Sequence, residues 1–461
     1  SRRLFWTPLP SPARRHLAVG SAALFVRRIW PTAAAMLAGA AVASPACAAE
    51  MMSASVASIR AADAAKHIGV LADDAFEGRE GGSRGGRAAA AYLVEQLERT
   101  GIQPAGDEGS YLQPFGGLRN VLAILPGSDP ELSRELVVVG AHYDHVGYGN
   151  AANSFGPFGH VHNGADDNAS GVAGLLELVD AMQHLPSRPR RSILFAFWDG
   201  EEKGLLGSSH FIRTRPPALA GRPLACSVNM DMIGRLRGQR LEVYGPRSAR
   251  GLREAVVQAN NRPTAGAGLE LAFVWDIEED SDHFPFLAAG VPTVMFHTGL
   301  HDHYHRPSDD VHLVNVAGVE PVVRLALCFI VAVADDPTPV PPFRAECRNE
   351  SNATRNRLEA AVPEQPSSPA GRWGIGTRGD PGEPSCPIVV LVRRGSAAER
   401  GGVAVGDRVL TVDSVRITSQ DDMVARLRGG SRSVGIDVER RGRIVRLTLV
   451  DHAADAADTA L

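Results

Sequence analysis

At 461 residues the chain exceeds one ordinary domain and suits two or three. Apolar residues make up 44%, enough for full-sized cores. The formal net charge of −4 gives no reason to expect a nucleic-acid partner.

Residues 1–48 read as a secretory signal. The first thirty carry Arg2, Arg3, Arg14, Arg15, Arg27 and Arg28 and no acid. An apolar run of small residues follows from Pro31 to Ala43, and then Ala46-Cys47-Ala48, an A-x-A cleavage site. The apolar run is too short for a comfortable bilayer span. No membrane span is expected in the mature chain, and export to a periplasm or the extracellular medium is. Removing six arginines and no acid would take the charge from −4 to −10.

Residues 56–104 read as helical. Ala88 to Thr100 has apolar positions at helical spacing and stops at Gly101. The glycine-rich turn before it contains Gly81-x-Ser83-x-Gly85, a formal match to a nucleophile elbow. That motif needs a strand before it. Helical and turn-like sequence precedes it here, so a serine hydrolase is set aside.

From Asn120 short apolar runs rich in Val, Ile and Phe alternate with helical segments. NVLAIL, ELVVVGA, SILFAFW, LACSVNM, LEVYG, LELAFVW and PTVMF are the strands. This alternation predicts an α/β fold over 49–336, a three-layer α/β/α domain with a mostly parallel central sheet. Residues 337–371 are punctuated by seven prolines and read as a linker. Residues 372–452 are strand-rich again, a small β domain with one short helix, DDMVARLR, and 453–461 is a tail.

Of five cysteines, Cys47 falls in the signal, and Cys226 and Cys328 sit in apolar segments as buried thiols. Cys347 and Cys386 lie in loop-like sequence and could pair in an exported protein. No CxxC occurs, which argues against a structural zinc ribbon.

Polar residues cluster just beyond strand ends. His142 and Asp144 follow ELVVVGA, Glu201 and Glu202 follow SILFAFW, Asp231 ends LACSVNM, and His305 follows PTVMFH. In open α/β sheets the carboxyl ends of strands are where sites form. The residue types suit a pair of zinc ions, which take His nitrogen and carboxylate oxygen. Two ions ~3.5–4 Å apart need a bridging ligand, which a carboxylate can be and a neutral imidazole cannot. Asp167, in a sharp turn before a helix, is the bridging candidate. Glu202 would bind an ion, and Glu201 would act as general base. Asp144 would accept the other imidazole N–H of His142 and fix its tautomer. Each of these residues alone would be read as solvated surface or a helix cap; only the set, in this order, points to metal. No HExxH appears, which excludes the commonest single-zinc protease helix.

The strings GAHYDHVG, HNGADDNASG, FWDGEEKGLLGS, NMDMIGR, SDHFPFLAAGVP and YHRPSDD, in this order, resemble the co-catalytic zinc aminopeptidases of the bacterial leucyl type over roughly 65–335. LADDAFEGRE and GDEGSYLQPF resemble the N-terminal part of exported members. The resemblance implies two zinc ions per chain. Asp167, Glu202 and His305 would hold one, and Asp167, His142 and Asp231 the other. Glu201 would be the base and Asp144 the carboxylate behind the histidine; Asp282 and His283 match a motif near the site. It implies peptide substrates cleaved from the N-terminus, and leaves open carboxypeptidase or glutaminyl cyclase chemistry on the same fold. The protease-associated insert that exported relatives often carry is absent, since only about 25 residues separate GDEGSYLQPF from GAHYDHVG. Residues 373–428, from WGIG to DDMVARLR, resemble a bacterial PDZ domain, which implies a C-terminal peptide ligand added at a sheet edge. An inactive catalytic domain serving a PDZ scaffold is the rival reading; the complete ligand set and Glu201 argue against it.

Overall fold

All seven apolar runs form strands of one nine-stranded sheet in the computed structural model, which describes residues 45–364, 371–429 and 431–451. Residues 1–44 of the expected signal and the tail 453–461 lie outside these. Residues 45–48 open a helix, Pro45–Ser58, that runs through the expected cleavage point.

The strands are β1 Gln103–Pro104, β2 Leu112–Phe115, β3 Leu118–Leu125, β4 Leu136–His142, β5 Ser192–Trp198, β6 Leu224–Met230, β7 Arg240–Tyr244, β8 Glu270–Val274 and β9 Thr293–His297. Their order is β1-β3-β5-β4-β6-β9-β7-β8, with β2 on β3. The four central strands β5, β4, β6 and β9 are mutually parallel. β3 runs antiparallel to β5, and β7 antiparallel to β9.

The parallel centre explains the unbroken apolar runs. Every residue of β4 and β5 is buried, because helices cover both faces. Val137, Val139 and Ala141 join one core with the helices Ala61–Leu71, Arg84–Thr100, Gly171–Gln183 and Val316–Asp335. Leu136 and Val138 face the other core, with Phe211 and Phe286 from two short helices. Among the described residues, Val316–Asp335 is long and apolar enough to cross a bilayer. Here Val322, Leu325, Phe329 and Ile330 are fully buried in the core.

Ser83 is accounted for structurally. It caps the helix Arg84–Thr100, its hydroxyl accepting from the Gly86 amide at 3.1 Å. The 337–371 stretch, read as a linker, contains a 3₁₀ turn, Ala345–Asn349, and a helix, Asn352–Glu359, both held against the catalytic fold. Cys347 and Cys386 are buried free thiols and do not pair, as are Cys226 and Cys328.

A second, all-antiparallel sheet follows: β10 Ile375–Arg378, β11 Ile388–Val392, β12 Arg408–Val412, β13 Val415–Arg416, β14 Ser433–Arg440 and β15 Arg443–Val450. It packs over its own core of Trp373, Val389, Val409, Ile436 and Val438. Its docking on the first domain is largely ionic. Arg247 spans Glu350 at 2.5 Å and Asp380 at 2.8 Å, Arg408 shares Asp380 at 2.8 Å, and Arg253 meets Glu439 at 2.8 Å. Asp380 and Arg408 are each 1% exposed, so these charges are compensated inside the interface rather than by water.

Candidate metal centre

Four adjacent parallel strands end at one edge, and the predicted residues meet there. His142 is the last residue of β4; Asp231 immediately follows β6; Glu201 and Glu202 open a 3₁₀ turn after β5. His305 lies in the loop after β9, held at φ +51. Asp167 comes from the turn Ala165–Ser170 that starts the helix Gly171–Gln183, and its peptide bond to Asn168 is cis.

Asp167 stands between two histidines. Its Oδ1 is 3.4 Å from His142 Nε2 and its Oδ2 is 3.1 Å from His305 Nε2. His142 Nε2 is also 3.3 Å from Asp231 Oδ1, and His305 Nε2 is 3.1 Å from Glu202 Oε2. Ligands ~2.0–2.1 Å from a tetrahedral ion stand about 3.3–3.4 Å apart, so these separations suit two ions sharing Asp167. Asp167 is 3% exposed, and its Oδ2 makes no hydrogen bond despite the close approach. A buried carboxylate oxygen left in that state is what a cation would satisfy. The chemistry of the donors and their spacing therefore fit a pair of zinc ions.

By distance alone, His145, Asp167, Glu202 and His305 form one group and His142, Glu201 and Asp231 another. This differs from the expected sets in adding His145 and Glu201 and in leaving Asp167 out of the group of His142. Asp167 nonetheless points one oxygen toward each of His142 and His305. His145 points Nδ1 at Glu202 Oε1 from 2.8 Å and serves as that carboxylate's partner. Sequence reasoning missed it, though it stands in the same string as His142. Also missed was Ser281, whose hydroxyl donates to Asp231 Oδ2 at 2.6 Å.

Asp144 departs from its expected part. The Nδ1 of His142 is 3.2 Å from the backbone carbonyl of Asp144, whereas the Asp144 carboxylate lies 3.8 Å away. The carbonyl, not the side chain, takes the imidazole N–H. The carboxylate instead accepts from the Glu201 amide at 3.1 Å and so fixes the turn that carries both glutamates. Asp282 and His283 stand behind the ligands. Asp282 accepts from Ser208 at 2.5 Å and is pushed up to about 7 by burial; burial pushes His283 down to about 4.

The two adjacent glutamates are driven apart. Burial raises Glu201 well above the carboxylate range, with Glu202, Asp282 and Asp231 adding to it against His142. Burial and Asp167 also push Glu202 up, but His145 and His305 outweigh them and hold it low. Burial opposes ionisation of Asp167 too, yet His145, His142 and His305 keep it well below the usual range.

Supporting contacts come from distant sequence. Arg79, fully buried, donates to the carbonyls of Tyr143, Leu71, Asn163 and Gly164, tying the end of β4 to the turn of Asp167. The first aspartate of the pair, Asp166, is held by His301 at 3.1 Å, and Asp309 accepts from the amides of Asp166 and Asp167. Thus the HDHYH cluster sends His305 to the centre and His301 beneath it, while His303 faces solvent and Ser308.

Residues 120–330 match the model described as peptidase family M28, and residues 388–440 a PDZ domain. The chain is 28% identical over 218 residues to leupeptin-inactivating enzyme 1 of Streptomyces exfoliatus, covering 46% of this chain and 43% of that one. It is 29% identical over 190 residues to aminopeptidase YwaD of Bacillus subtilis, covering 39% and 37%. The matched parts thus span less than half the length of these curated relatives. The LapA aminopeptidase structure of Legionella pneumophila superposes with a TM-score of 0.53 at 17% identity, over 63% of this chain and 75% of that one; it speaks for the fold.

Proposed function

We propose that this chain, whose residues 120–330 match peptidase family M28, is an exported two-zinc aminopeptidase of that family that removes N-terminal residues from peptides. The observation that carries the reading is Asp167 with one carboxylate oxygen toward each of two histidines, beside a glutamate whose proton affinity is raised.

His142, Asp231 and Asp167 would hold one ion, and Asp167, Glu202 and His305 the other. When bound, the ions supply positive charge that polarises the scissile carbonyl and lowers the pKa of water. Beside bound ions the Glu201 carboxyl would be held ionised, since a nearby cation lowers a carboxyl pKa. Glu201 then takes the proton of the attacking water on its carboxylate and returns it to the leaving amine nitrogen. The amide of Glu201, bonded to Asp144, keeps that carboxylate facing His142 and Asp231 while Glu202 turns to His305. Ser281 fixes Asp231 and His145 fixes Glu202, so neither ligand needs to reorganise.

The name of one relative, aminopeptidase YwaD, favours N-terminal trimming over the cyclase and carboxypeptidase alternatives. Purified protein is compared on free and N-acetylated aminoacyl amides, with and without a chelator. Cleavage of the free forms only, lost on chelation, is expected. Cleavage only of acetylated forms sinks the aminopeptidase reading, and activity that survives full metal removal sinks the mechanism. Export rests on the basic, apolar and A-x-A succession of residues 1–48. A C-terminal peptide ligand on the PDZ domain rests on the domain match and on β10 being an edge strand.

A further inference from the structure

A cavity of about 400 Å³ opens on the metal-site residues, within the range of ~300–1,000 Å³ usual for ligand pockets. Its walls have two characters. Met232, Val274, Met295 and Leu300 supply apolar surface, and Asp276, Glu278 and Asp280 supply carboxylates. Among the described residues that line it there is no lysine or arginine. A pocket that combines apolar surface with carboxylates complements a side chain with an aliphatic stem and a cationic tip.

The acidic wall is held at both ends. At one end Ser281 donates to Asp231, a metal-site residue. At the other, Asn352 is a lining residue that comes from the helix Asn352–Glu359, outside both matched regions. Its side-chain oxygen accepts from the Trp275 amide at 3.1 Å, while its backbone and side-chain N–H groups donate to the two carboxylate oxygens of Asp276. Asp276 is thereby occupied, while Glu278 and Asp280 line the cavity, Asp280 with His283 Nε2 at 3.9 Å. The residue two before Asn352, Glu350, is clamped by Arg247 and Arg344, and Arg247 also grips Asp380 of the PDZ domain. The segment that docks the second domain therefore also shapes the pocket.

We infer that the segment 275–281 is a specificity wall that selects a cationic N-terminal side chain, with Glu278 and Asp280 receiving the charge and Asn352 positioning them. This rests on the aminopeptidase reading, which puts the N-terminal side chain in this cavity. The test uses the zinc-loaded full chain carrying Glu201→Gln, so that binding is read without turnover. Arginine amide and citrulline amide, alike in shape but not in charge, are compared by calorimetry, with leucine amide as a neutral reference. Arginine amide is expected to bind about fivefold tighter than citrulline amide, the scale of two partly exposed ion pairs. Adding Glu278→Gln and Asp280→Asn should bring the two within about twofold. Asn352→Ala should reduce the arginine preference in the same direction. Equal binding of arginine and citrulline amides, binding of neither, or a preference that survives neutralisation of both carboxylates overturns the wall. Failure of the aminopeptidase reading shows separately, as no hydrolysis of either leucine anilide or arginine anilide by the unaltered enzyme.

Discussion

Two adjacent glutamates of identical chemistry are pushed in opposite directions by what each faces. Glu202 meets His145 and His305 at 2.8 and 3.1 Å, whereas burial and the carboxylates of Glu202, Asp282 and Asp231 act on Glu201 against His142. Replacing Glu201 with Gln should therefore leave the metal content per chain intact while turnover falls by about 10²–10⁴-fold, since the base is lost and the ligands remain. Zinc loss from that variant would mean the two roles are exchanged. His145→Ala removes no member of the five-ligand set but frees Glu202 to turn. Metal affinity, read by competition with a chelator, should weaken by about 10–100-fold. An unchanged affinity would show that Glu202 is oriented by other contacts.

Strand ends carry the centre, and the helix Asn352–Glu359 carries the join between domains. Glu350, just before that helix, is held down to about 2: burial opposes this, but Arg247 and Arg344 outweigh it. A carboxylate whose folded pKa lies below its unfolded value of 4.5 stabilises fully above that value. The stabilisation is lost as pH falls from there through about 2. Melting temperatures of the unaltered chain and Glu350→Gln should thus differ most above pH 4.5 and converge in acid. A gap independent of pH would remove the ion pair as the cause.

Across the whole molecule, the metal centre and the domain interface are both places where charge is buried and must be compensated. Five acidic side chains, Asp144, Asp167, Glu201, Glu202 and Asp231, converge at one sheet edge. Chelation should abolish activity and lower the melting temperature, because the carboxylates then repel one another in a desolvated site. Scanning with a chelator, then with zinc restored, checks both; a melting temperature indifferent to zinc would contradict the centre. The interface answers the same problem with arginine, so the PDZ domain sits as a fixed part of the described chain rather than on a free tether.

The fold was legible where periodicity alone decides it. Unbroken apolar runs require burial on both faces, and so announced the parallel strands β4, β5, β6 and β9. Four of the five expected ligands were legible as types at or beyond the ends of those strands, and Asp167 from the turn before a helix. Contacts between residues far apart in sequence were not. Nothing local in the sequence says that a carbonyl rather than the Asp144 carboxylate takes the histidine proton, or that His145 turns to Glu202. The proline-rich stretch 337–371 reads as a tether, because single residues such as Glu350 and Asn352 find their partners only once Arg247 and Asp276 are brought near. Local pattern determined the elements and the ligand chemistry. Only the tertiary structure decided which buried charge answers which, because that depends on distances the chain acquires on folding.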